Sequence, residues 1–273
     1  REKWNRSAGG FTYNTAVTIR SIAVVLVATA AGFIPLCTQP AAAQNTPVRV
    51  LVSNGMKAAI EELQPQCERA IGHPLDPQFS STAGLKKRIE AGEAFDVTII
   101  STEAIDDLIK QGKIASGSRT NVARSELGIG IRVGAAKTDI HSVDALKQTF
   151  KEAKSITFPQ DGATRGNIER MFEQLGIAAD VAPKIILAPG SAAATESVAA
   201  GKAALVITLF SEIVPVHGIE ILGPLPGKFR YELHFGAAAS VAGKKMEGAQ
   251  ALIGFLVGPE AARVFKTKGL EPR

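Results

Sequence analysis

From residue 48 onward the chain alternates short apolar runs with stretches whose apolar positions recur every three or four residues. Residues 48–52, 75–79 and 95–100 have the first character and predict strands. Residues 57–70, 85–91 and 102–111 have the second and predict helices. The punctuation agrees: Ser53-Asn54-Gly55-Met56 turns out of the first strand, and Gly72-His73-Pro74 ends the first helix. Gly92 closes the second helix, and Ser101-Thr102-Glu103 is an N-cap signature for the third. Strand and helix in alternation, three times over, imply a parallel sheet with crossover helices.

A change of region follows. Residues 126–133 have an extended, period-two character, and a helix over residues 143–153, capped by Ser142, comes after them. Strands are predicted at 156–158, 184–187 and 204–208, with a short one at 218–222 and a longer extended stretch at 231–240. Helices are predicted from Ala163 through Leu175, from Ser191 to Ala200, and at 246–256 and 260–266.

Two strand-to-helix junctions draw attention as candidate sites. In the first, residues 156–158 lead through Pro159-Gln160-Asp161-Gly162 into a helix opened by Ala163-Thr164-Arg165-Gly166. The apolar face of that helix is Ile168, Met171, Phe172 and Leu175. Unpaired N–H groups and the positive end of a helix dipole suit an anion there, and Arg165 would add a fork of donors matched to a carboxylate or oxyanion. The same residues also fit an ordinary capped junction, with Thr164 as the cap and Arg165 in solvent. The second junction is Ser80-Ser81-Thr82-Ala83-Gly84, whose hydroxyls lie at the carboxyl end of a strand, where ligands of open α/β sheets bind. Simple Ser/Thr capping accounts for any one of these hydroxyls.

The ends change the reading of charge. Residues 22–31 form an apolar core preceded by Arg20 and followed by Pro40-Ala41-Ala42-Ala43-Gln44, which predicts a secretory signal peptide cut after Ala43. The run is too short to stay in a bilayer as a spanning helix. Residues 1–16 make a poor n-region, so translation is expected to start at Val17 from a non-ATG codon. The chain has 31 Lys and Arg against 26 Asp and Glu; four of the former and one of the latter fall in the first 43 residues, leaving 27 against 25. A net charge near +2 removes the main support for a nucleic-acid role. One cysteine remains, Cys67, in a helical stretch, where it reads as a small buried hydrophobe with no internal disulfide partner. His73, His141, His217 and His234 have no metal-ligand spacing, and no Cys pair or G-x-S-x-G elbow is present.

Taken in order, Val52-Ser53-Asn54-Gly55, Phe79-Ser80-Ser81-Thr82-Ala83-Gly84-Leu85, the stretch Arg88-Ile89-Glu90-Ala91-Gly92 running on to Asp96-Val97, the loop from Gly162 to Gly166, and Gly258-Pro259-Glu260-Ala261-Ala262 resemble the secreted molybdate-binding proteins of ABC importers. These belong to the type II periplasmic binding proteins. The resemblance covers residues 48–270 and implies an α/β, two-lobed type II periplasmic binding protein fold. Each lobe would be a mainly parallel sheet flanked by helices, with the ligand cleft between the lobes. Crossovers are expected near Leu127 and Leu233, giving a discontinuous lobe 1 (44–127 plus 234–273) and lobe 2 (128–233) after the 1–43 leader.

The implied function is a periplasmic solute-binding protein that delivers a small anion, a molybdate-like oxyanion or small carboxylate, to a membrane permease. It would act as a monomer, without cofactor, metal, nucleic acid or membrane insertion of the mature chain. The ligand-binding residues expected are Ser53, Asn54, Ser81, Thr82, Arg165 and Ser191, with no catalytic residue. The chain departs from the family pattern at three places. Asn54 stands where a Ser is usual, Arg165 replaces a small residue, and the tyrosine position falls at Leu209 or Phe210. The alternative is an enzyme, because some secreted members resemble aconitate isomerases that act on a tricarboxylate without a cofactor. Arg165 would suit that substrate, and hydroxyls or His234 could handle a proton. A ligand-sensing domain for a membrane partner is a third reading.

Overall fold

The structure, a computed structural model, describes residues 46–273. The expected signal peptide, the expected cut after Ala43 and the expected start at Val17 lie outside the described residues. The first part of the chain runs β1 (Val48–Ser53), α1 (Lys57–Ile71), β2 (Leu75–Ser80), α2 (Thr82–Glu90), β3 (Val97–Ser101), α3 (Thr102–Lys110) and β4 (Thr120–Arg132). Then come α4 (Val143–Glu152), β5 (Ile156–Pro159), α5 (Arg165–Gln174), α6 (Ala178–Val181), β6 (Ile185–Ala188), α7 (Ser191–Ala199), β7 (Leu205–Leu209), α8 (Phe210–Ile213) and β8 (Ile219–Pro224). The last elements are β9 (Glu232–Ala239), α9 (Met246–Leu256), α10 (Pro259–Thr267) and β10 (Glu271–Pro272).

The strand order is β2-β1-β3-β9-β4-β7-β5-β6, with β8 and β10 also paired to β4. In the first lobe β1 pairs in parallel with β2 and β3, and in the second β5 pairs in parallel with β6 and β7. The strands that pass between the lobes are antiparallel to these sets. The first half of β4 pairs with β9 and β10; the second half pairs with β7 and β8. The fold is therefore a mixed α/β sheet with helices on both faces.

Period-two burial explains the layering. On β1, Val48, Val50 and Val52 face one core, which includes Ile60, Leu63 and Cys67 of α1, Leu252 of α9 and Phe265 of α10. Leu51 points the other way, into a core with Leu85 and Ile89 of α2 and Ile105 and Leu108 of α3. A strand covered on both faces must be apolar throughout, and β1 is except for Arg49 and its final Ser53. The expected reading of Cys67 holds: it is buried, and desolvation pushes its thiol up to about 12. The edge strand β2 carries Pro77, which has no N–H to offer a further strand.

In the second lobe, Ile168, Met171 and Phe172 of α5 and Phe150 of α4 pack on β4, β5 and β7, with the Phe150 and Phe172 rings edge to face at 5.2 Å. Losing either ring would cost about 3–5 kcal/mol. Midway along β4 the Leu127 N–H donates to the Tyr231 carbonyl at 2.9 Å. Tyr231 packs against the cores of both lobes. Ser125 Oγ donates to the Gly269 carbonyl at 2.9 Å and accepts from the Ser211 N–H at 3.0 Å, so one hydroxyl ties β4 to α8 and to the end of α10.

Two motif residues are structural here. Asp96 accepts from the Arg49 N–H and the Lys244 N–H, both at 3.0 Å, fastening β1 and the segment before α9 to the start of β3. Glu93 accepts from Arg49 at 2.9 Å and from both Arg88 donors at 2.6 Å; the Arg88 guanidinium holds its carboxyl below the usual range.

Candidate functional site

Every strand of the two parallel sets except β3 ends at one cleft. From β1 come Ser53 and Asn54; from the end of β2 come Ser80, Ser81 and Thr82. The end of β5 supplies Pro159, Asp161, Gly162 and Thr164. The loop after β6 supplies Pro189, Gly190 and Ser191, and the end of β7 supplies Leu209 and Glu212. Leu233 of β9 completes the lining, and the cavity is about 200 Å³. Carboxyl ends of parallel strands face a ligand crevice because the following helices present their N-termini there.

Local chemistry explains how each element reaches the cleft. Gly55 follows Asn54 in a short 3₁₀ turn, and a Cβ at that position would stand 2.5 Å from Phe235 Cζ. Only glycine lets the turn pack this closely and hold Asn54 at the cleft. Ser81 caps α2: its Oγ accepts from the Gly84 N–H at 3.0 Å. That helix begins three residues before the Leu85 expected from the apolar pattern, because the cap and Thr82 come first. The buried Thr82 hydroxyl donates to Ser53 Oγ at 3.2 Å. Ser191 is the first residue of α7 and is buried. The opening N–H groups of α2, α5 and α7 have no intrahelical acceptors by construction.

Of the expected binding residues, Ser53, Asn54, Ser81, Thr82 and Ser191 line this one cleft. Arg165 does not. Its Nε donates to Glu169 Oε1 at 2.8 Å and its Nη1 to the Gln160 carbonyl at 2.9 Å, so the guanidinium is folded back along α5 and partly exposed. Thr164 lines the cleft but makes no side-chain capping bond, because its backbone is already helical at the N-cap. His234 is also absent from the lining; it sits exposed on β9, opposite Arg124.

The residue that sequence reasoning missed is Glu212. It lies on α8, one turn after Thr208, whose hydroxyl donates to its Oε2. The Ser191 hydroxyl and the Leu209 N–H also reach the carboxyl. Burial pushes the Glu212 carboxyl above its ordinary value, outweighing these three donors. Among the described residues, the lining contains no Lys, Arg or His; its titratable side chains are Glu212 and the exposed Asp161. The tyrosine position expected at Leu209 or Phe210 supplies no hydroxyl. Leu209 lines the cleft, and Phe210 packs on Gly128, where a Cβ would meet Phe210 Cε1 at 2.1 Å. The one available signal for Glu212 was its place just past the end of a buried strand.

The arrangement offers hydroxyls, helix N-termini and the Glu212 carboxyl in a space below the roughly 300–1,000 Å³ of drug-sized pockets. It has no group of three His, Cys, Asp or Glu that could hold a metal among the described residues, nor a helix there long and apolar enough to cross a membrane.

An aconitate isomerase from Pseudomonas sp is 30% identical over 251 residues, covering 89% of this chain and 95% of that protein. A molybdate-binding protein of Azotobacter vinelandii is 26% identical over 253 residues, covering 91% and 97%. Among solved structures, the Azotobacter vinelandii periplasmic molybdate-binding protein superposes with a TM-score of 0.68 at 19% identity, covering 82% of this chain and 98% of that one. The sulfate-binding protein SubI of Mycobacterium tuberculosis gives 0.66 at 15%, covering 83% and 87%. The family of bacterial extracellular solute-binding proteins matches residues 48–271, from the first residue of β1 into β10. With every cleft-forming strand and helix inside that match, the chain belongs to the bacterial extracellular solute-binding protein family.

Proposed function

We propose that this protein is a periplasmic solute-binding protein of an ABC importer and captures a small anion, an oxyanion or a small carboxylate, between its lobes. One observation carries the reading: Ser53, Asn54, Ser81, Thr82 and Ser191, from strand ends in both lobes, line a single small cleft at helix N-termini. An anion held by neutral donors from both sides favours the closed form, and the closed form is what a permease would recognise. The lobe boundaries near Leu127 and Leu233 are part of this proposal, since closure requires the chain to flex there.

The test is a thermal-shift screen of the 44–273 chain against molybdate, tungstate, sulfate, phosphate, citrate and both aconitates. A ligand at about a hundred times its Kd stabilises by roughly 2.7 kcal/mol, or about 5–11 °C in a chain of this size. No shift with any of them refutes the reading.

A second reading is a cofactor-free isomerase of a small polycarboxylate, and Glu212 favours it. Acid–base turnover needs a titratable group against the substrate, and Glu212 supplies one where Arg165 and His234 do not. The relative named aconitate isomerase belongs to the same comparison. Proton NMR of each aconitate incubated with the protein decides it; interconversion that disappears in Glu212→Gln supports turnover.

A further inference from the structure

Among the described residues, the cleft lining carries two carboxyls, Glu212 and the exposed Asp161, and no cation, which is an unusual way to receive an anion. Ionised, Glu212 could only accept hydrogen bonds and would repel the ligand; neutral, it has an O–H to donate. α8 packs against β4, β7, β8, α7 and the Asn54–Met56 turn. The charged side chains on these elements pair elsewhere or are exposed. Arg124 pairs with Glu271 and Glu232, Glu126 with Arg230, and Glu220 with Lys137, while Glu196 is exposed and Arg132 lies against Gly201. The groups that do reach the Glu212 carboxyl are the neutral Thr208 and Ser191 hydroxyls and the Leu209 N–H. Among the described residues nothing charged compensates an ionised Glu212, and an arriving anion would oppose it further.

Resting on the anion reading above, we propose that Glu212 enters the complex as a neutral carboxylic acid and donates its proton as a hydrogen bond to an oxygen of the bound anion. The site is thus proton-linked: it favours ligands presenting bare acceptor oxygens at that position, and its affinity falls as Glu212 ionises. Thr208 acts as a positioning residue through its hydrogen bond to Glu212 Oε2, while Ser191, which lines the cleft, donates to the same carboxyl.

Calorimetric titration with sulfate and with molybdate tests this, because neither ligand carries a proton of its own above about pH 5. Wild type and Glu212→Gln are compared between about pH 5 and about pH 9, the span in which buried glutamates titrate. The expected wild-type affinity falls by up to about tenfold per pH unit once Glu212 begins to ionise. Gln keeps a donor and cannot titrate, so the variant's affinity stays level across the range and exceeds wild type at its upper end. A shared pH profile in the two proteins overturns the role of Glu212. Should the variant fail to fold, wild type alone decides. Titrations in two buffers of different ionisation enthalpy must show proton uptake on binding at the upper end of the range, and zero uptake there overturns the proposal. Binding of neither anion at any pH refutes the anion reading instead, and the proposal with it.

Discussion

The Thr82 hydroxyl donates to Ser53 Oγ at 3.2 Å, joining the first turn of α2 to the end of β1 inside the cleft. Both groups are buried, so each has its hydrogen-bond partner chosen by the fold before a ligand arrives. The consequence is preorganisation: Ser53, its acceptor role taken, has its own proton free to aim at an anion. Replacing Thr82 by Val keeps the volume but removes the donor. One neutral hydrogen bond is worth about 1 kcal/mol, so Thr82→Val should weaken anion binding about fivefold, measured by calorimetry. Thr82→Ser should restore most of the loss.

Arg165→Ala should leave affinity within about twofold of wild type. The guanidinium is spent on Glu169 and the Gln160 carbonyl and does not line the cleft. As a partly exposed i,i+4 pair it should also change stability by no more than about 0.5 kcal/mol. A tenfold loss of affinity would mean that Arg165 swings into the cleft on closure.

Gly55→Ala should harm both stability and binding. The new Cβ would lie 2.5 Å from Phe235 Cζ and 3.2 Å from Leu209 Cδ1, two side chains fixed in the core. Relief requires the turn carrying Asn54 to move away, at a cost of about 1–3 kcal/mol. Chemical denaturation should show the lower midpoint, and calorimetry the weaker complex.

Much of this was legible in the chain. The two periodicities located nearly all the strands and helices, and the Ser81 cap and the Ser191 helix start were readable from residue type and position. What was not legible was hidden for physical reasons. Arg165 at a helix start suits an anion, but Glu169 at i+4 was already in the sequence and offered it a nearer partner. The first half of β4, Thr-Asn-Val-Ala-Arg-Ser, has too few apolar positions to read as a strand, although Val122, Ala123 and Ser125 are buried once it pairs with β9 and β10. Glu212 was hidden most deeply. A Glu beside Ser211 reads as solvent-facing: Thr208 and Leu209 are local partners, but Ser191 reaches it only because β6 and β7 flank β5 in one sheet, and that proximity is not written in local sequence.

Asp96 separates stability from binding within the same lobe. Its two oxygens accept the Arg49 and Lys244 N–H groups at 3.0 Å, and it does not line the cleft. Asp96→Ala leaves these donors without their acceptors, a loss of about 1–3 kcal/mol. The melting temperature should fall by roughly 2–12 °C, while affinity at a temperature where the variant is folded stays within about twofold. A large affinity loss in a folded variant would show that the tie sets the cleft rather than the lobe.

The unliganded protein should lose stability as pH rises above 4.5, and Glu212 is the cause. Its carboxyl is raised above the ordinary 4.5 by burial, so the folded chain holds that proton more tightly than the unfolded chain does. The resulting stabilisation is fully present below 4.5 and is lost as pH rises through the folded value. Carboxyls with the opposite shift, such as Glu68 and Glu93, contribute stability above 4.5 and lose it only as pH falls below that. Cys67, also raised, begins from 9.0 and acts only in alkaline solution. Between these limits the difference in melting temperature between wild type and Glu212→Gln isolates the one group. Wild type should fall relative to the variant as pH is raised from about 5 to about 8, and a difference that stays constant across the range would show that Glu212 is already ionised in the folded protein.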